Sequence, residues 1–119
     1  MDGFDRLLSD RTDNAGCLAL WLAVLDRAVR DAYALLEAAK RKPKVLDDHV
    51  FFHTLLELKK WFHDPSARVG GIAWICDLAD IHPDRIAGRM DREVFHPLAE
   101  MMNQYRIERL KNKIERETR

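Results

Sequence analysis

The chain has 119 residues, 47% of them hydrophobic, enough for one compact core and too few for a second domain. Twenty Lys and Arg offset twenty Asp and Glu, which excludes binding of nucleic acid by bulk charge and leaves only local patches for that purpose. Two cysteines, Cys17 and Cys76, are too few for a disulfide framework. The longest apolar run, Cys17 to Leu25, is far short of a bilayer span, so a soluble protein of the reducing cytoplasm, without membrane contact, is expected.

Met1 to Asp13 carries four Asp and no apolar run of signal-peptide type. Beyond it, apolar residues return every three or four positions, with only five Gly and four Pro in the chain. This period predicts an all-α fold, a compact bundle of about five helices forming a single domain over residues 1–119. The first helix is expected from about Ala15 to Lys40, capped by Asp13 or Asn14. Leu18, Trp21, Leu22, Leu25, Val29, Ala32 and Leu36 form its stripe, which Leu20 and Val24 widen. So wide a stripe predicts burial on two sides, inside the monomer or in a homodimer.

Lys40, Arg41, Lys42 and Lys44 surround Pro43 in a basic connector, either a solvated helix end or a phosphate-contacting loop. Asp47 reads as the cap of a second helix whose face runs through Val50, Phe51, Thr54, Leu55, Leu58, Trp61 and Phe62 to Asp64-Pro65. Ser66 to Gly71 is a joint in which Gly70-Gly71 permits close backbone approach. Ile72, Trp74, Ile75 and Leu78 follow.

From Ile75 to Met90 the small and apolar residues fall where a helix-turn-helix needs them. Cys76 is the small residue of the first helix, Ile81 closes the turn, and Ile86 and Met90 pin the second helix. Pro83 suits the first turn of that helix and Asp84 its positive end. At the turn stands Asp80 in place of the usual Gly, and Asp enters the left-handed backbone region more readily than most residues. A plain helical hairpin would show the same apolar spacing. Pro97 is expected to open a last helix through Leu98, Met101, Met102 and Tyr105 into Ile107, Leu110 and Ile114. Its end, residues 106–119, is a basic amphipathic tail with six Lys or Arg against three Glu.

No constellation carries catalysis. His49 and His53 are four apart, but Val50 stands where a metalloprotease motif has Glu, and no matching pair completes a site. His63, His82 and His96 each lie near a Pro at an expected helix boundary, which suits capping. Trp21, Trp61 and Trp74 fall in line with aliphatic residues and read as core. No enzyme activity, metal or cofactor is expected.

The segment from Trp61 to Met90, with Trp61-Phe62, then Ala73-Trp74-Ile75-Cys76-Asp77-Leu78, then His82-Pro83-Asp84-Arg85-Ile86, resembles small proteins of bacterial prophages and related mobile elements. The likeness covers about a quarter of the chain and implies a helix-turn-helix-like regulatory or packaging protein. The resulting expectation is a small regulator of double-stranded DNA in which Arg85 and Arg89 approach base edges or phosphates. Arg92, Lys42, Lys44, Lys111 and Lys113 hold the backbone. The alternative is an interaction module that binds RNA polymerase, another phage or host protein, or itself, through the Leu18 to Leu36 face and the C-terminal helix, without DNA contact.

Overall fold

A computed structural model describes the backbone from residue 3 to 118 and the side chains from residue 18 to 118. The described chain is all helical: α1 (Gly3–Arg41), a 3₁₀ turn (Pro43–Asp47), α2 (His49–Phe62), α3 (Ile72–Leu78), α4 (Pro83–Met90), a π-helical turn (Asp91–Phe95) and α5 (His96–Thr118). None of these helices is long and apolar enough to cross a membrane.

Helix α1 begins well before Ala15, so Asp13 and Asn14 lie inside it rather than at its cap. Cap-favouring residues cost a helix interior only about half a kcal/mol each, and no Pro interrupts Gly3–Arg41. The side chain of Cys17 lies outside the described residues. At the start of α2 the cap is Asp48, whose Oδ1 accepts the Val50 N–H at 2.8 Å; the expected Asp47 ends the 3₁₀ turn instead.

Helices α4 and α5 are one continuous rod, so four helices form where about five were expected. Pro97 does not open a new helix; it sits inside the rod. A proline in a regular helix clashes with the carbonyl four residues back and leaves it without a donor. Here the preceding turn is widened to π geometry, with the His96 N–H donating to the Asp91 carbonyl five residues back, and this wider turn houses the ring.

The core gathers Leu25, Ala32, Leu36 and Ala39 of α1, Leu46, Phe51, Leu55 and Phe62, the α3 residues Ile72, Ile75 and Cys76, and Met90, Val94, Phe95 and Leu98 of the rod. From Leu25 onward the expected stripe on α1 packs into the core, with Leu25, Ala32 and Leu36 buried and Val29 half-buried. Ahead of this stretch, Leu20, Leu22 and Val24 remain exposed within the monomer. Val50, expected on the α2 core face, is also exposed. The three tryptophans are half-buried rather than fully inside: Trp21 and Trp74 meet edge to face at 5.2 Å, and Trp61 meets Phe62 at the same separation. Gly70 has φ +83°, and a Cβ there would stand 3.3 Å from the Trp21 ring, so both its backbone and its bareness are used.

The molecule measures 84 × 21 × 19 Å with a radius of gyration of 20.5 Å, against about 13–14 Å for a compact chain of this length. The expected compact bundle is therefore replaced by an elongated one. Every described residue from Arg106 onward is exposed, so among the described residues the distal end of the rod has no packing partner beyond its base.

Candidate nucleic-acid interface

The joint between α3 and α4 is closed by backbone bonds centred on Asp80. Its φ of 55° places it in the left-handed region, as expected from the residue type. The Ile81 N–H donates to the Cys76 carbonyl at 2.8 Å and the Asp80 N–H to the Asp77 carbonyl at 3.3 Å, the paired bonds of a Schellman termination. Pro83 then takes the first turn of α4. His82 caps it, its Nδ1 accepting the Asp84 N–H at 3.3 Å.

Of the residues expected to fix this hairpin, Cys76 and Met90 are fully buried and Ile86 is half-buried. Ile81, expected to close the turn with apolar contact, is 36% exposed, and it is the Schellman backbone bonds that close the turn. The Cys76 thiol is pushed up in pKa by burial, which makes it an inert packing group.

Arg85 and Arg89, four apart on α4, lie about 40° from one another around the helix, and Arg92, in the π-helical turn that follows, lines the same groove, so the three share one side of the rod. With His82 and Asp84 they rim a groove floored by Leu25 and Val29 of α1 and by Ile86 and Met90. Arg85 and Arg92 enter no ion pair among the described residues. Arg89 is engaged: its Nε lies 2.6 Å from Glu93 Oε2, and the Tyr33 hydroxyl donates to the same oxygen at 2.6 Å. The Tyr33 hydrogen bond first, and the Arg89 bond second, lower the Glu93 pKa, while the same carboxylate raises those of Tyr33 and Arg89.

The other expected contacts lie elsewhere. Lys42 and Lys44 are exposed at the 3₁₀ turn beside Asp47 and Asp48, and Asp47 is ion-paired with Arg109 of α5. Lys111 and Lys113 are exposed far along the rod, roughly 35 Å from Arg89 by helical rise. Two residues apart, they point about 160° away from each other and cannot address one phosphate backbone together. The seven residues thus fall into three surfaces, of which only the α4 face brings three arginines together.

His49 and His53 are exposed, and the described residues contain no group of three or more His, Cys, Asp or Glu able to hold a metal ion. His63 does cap α2, while His96, expected at a boundary, lies inside the rod with its Nε2 3.6 Å from Glu100 Oε1. The Tyr33–Glu93 and His63–Asp91 contacts join residues 60 and 28 positions apart, and no local spacing announces them. Comparison with protein-family models, curated proteins and solved structures returns no match, so function must be argued from this geometry.

Proposed function

We propose that this chain is a small DNA-binding regulator of helix-turn-helix type, of the kind carried by phages and mobile elements, with α4 as its recognition helix. The observation that carries the reading is the alignment of Arg85, Arg89 and Arg92 on the exposed face of a helix entered through a left-handed turn at Asp80. Arg85, in the first turn and unpaired, reaches a guanine edge or a phosphate; Arg92 follows along the same face. Arg89 binds only by exchanging Glu93 for DNA, which makes it the weakest contributor. Lys42 and Lys44 supply phosphate contacts. With zero net charge on the chain, affinity comes from these contacts and from doubling the half-site in a homodimer.

Electrophoretic mobility of genomic DNA fragments at low and moderate salt, with the mass of the complex, tests the reading. A shift at low salt that weakens as salt rises is expected; no shift at low salt rejects it. A second reading is favoured by exposed apolar side chains, Leu20 at 61% and Leu110 at 60% among them. Because Leu25, Ala32 and Leu36 are taken up by the core, the part of the expected Leu18 to Leu36 face left for a partner is Leu20, Leu22 and Val24; with the C-terminal helix it binds a protein such as a component of the transcription machinery, with no DNA contact.

A further inference from the structure

We propose that the projecting end of α5 is a docking segment for an acidic amphipathic helix of another protein. The inference deepens the second reading by naming the partner's chemistry at one of its surfaces, and it holds whether or not α4 contacts DNA.

Ile107, Leu110 and Ile114, spaced three and four apart, form a single seam on the rod and are 45%, 60% and 59% exposed. Arg109, about 130° around the helix from this seam, is tied to Asp47 of the 3₁₀ turn. That ion pair holds the base of the segment to the body and turns the seam away from it. Arg106 and Lys113, seven apart, line one flank of the seam and Lys111 lines the other, while Glu117, seven after Leu110, ends the seam at its distal side.

These flanks decide among occupants. A second copy paired in parallel sets Arg106 against Lys111 of its partner, and an antiparallel copy sets Arg106 against Lys113, so like charges oppose self-association in both directions. Duplex DNA would take the cations and leave three aliphatic side chains in water. Insertion into an anionic bilayer would rest on three aliphatic residues without an aromatic anchor. A helix with its own apolar seam and Glu or Asp at the flanking positions satisfies the seam and the cations together.

The test uses the full chain and two synthetic three-heptad peptides with identical Leu seams, one flanked by Glu and one by Lys, titrated by fluorescence anisotropy. The Glu peptide is expected to bind and the Lys peptide not. Leu110→Ser/Ile114→Ser should weaken binding by roughly tenfold or more, with an unchanged helical spectrum because both residues are exposed. The charge reversal R106E/K113E should transfer preference to the Lys peptide. Equal binding of the two peptides, or insensitivity to the seam variant, overturns the proposal. So does a seam variant that abolishes self-association, binding to phosphatidylserine vesicles or binding to duplex DNA while leaving the Glu peptide bound. Mobility shifts by the α4 face are scored separately with Arg85 variants, so failure here and failure of DNA binding are distinguishable.

Discussion

His63 Nε2 lies 2.9 Å from Asp91 Oδ2, a contact that joins the cap of α2 to the first residue of the π-helical turn. The other ring nitrogen, Nδ1, lies 2.7 Å from the Lys59 carbonyl oxygen. Both neighbours are acceptors, so only the imidazolium satisfies both. The Asp91 hydrogen bond, and after it the Lys59 carbonyl, raise the His63 pKa above 6.5 against the opposing effect of burial.

A histidine whose pKa is raised by folding contributes stability that is complete below its unfolded value and is lost as pH rises through the folded value. The melting temperature should therefore fall from about pH 6 to about pH 8 at constant salt, and the fall should flatten in Asp91→Asn. Parallel curves for the two proteins would show that the contact does not stabilise the fold.

Asp80 holds its positive φ at a position where glycine carries no steric penalty. Asp80→Gly should change stability by less than about 1 kcal/mol, whereas Asp80→Val should destabilise by about 1–2 kcal/mol. Urea midpoints check this, and equal tolerance of Val and Gly would contradict the turn geometry.

Trp74 packs edge to face on Trp21 and is half-buried, so Trp74→Ala should cost about 2 kcal/mol, below the roughly 3–5 kcal/mol of a fully buried ring. A double-mutant cycle with Trp21→Leu and Trp74→Leu should return a coupling of about 0.5–1.5 kcal/mol. Independent, additive effects would mean that the two rings do not support each other.

Gly70→Ala places a Cβ against the Trp21 ring on a backbone at φ +83°, and should destabilise by more than about 1 kcal/mol. A neutral outcome in thermal unfolding would show that the joint between α2 and α3 relaxes freely.

Features set by local rules were legible in the sequence: the helical period, Pro83 as the start of α4, Asp80 in the left-handed region, and Cys76 and Met90 as buried anchors. Pro97 was misleading because a proline reads as a helix start unless the turn before it is widened, and nothing local distinguishes Asp91–Phe95 as a π turn. Asp48 rather than Asp47 caps α2 because Pro43–Asp47 forms a 3₁₀ turn that no local pattern announced; Asp47 pairs instead with Arg109, 62 residues away. Arg85, Arg89 and Arg92 could be placed on one face from spacing alone. That Arg89 is held by Glu93 while Arg85 and Arg92 are not also follows from spacing, since Glu93 stands four residues after Arg89 and neither other arginine has an acid three or four residues away; what spacing does not announce is that Tyr33 of α1 shares the same carboxylate.

Anisotropy of a labelled DNA duplex, titrated at low and moderate salt with the parent chain, with Arg85→Ala/Arg92→Ala and with Arg89→Ala, tests the account most directly. The double variant leaves the core untouched and should keep the parent's helical spectrum and melting temperature. It should lose about 1–3 kcal/mol of binding for each bidentate base contact removed and show a shallower salt dependence, with a smaller loss for Arg89→Ala because its guanidinium is already engaged by Glu93. If the parent fails to bind at low salt, or the double variant binds as the parent does, α4 is not a DNA-reading helix.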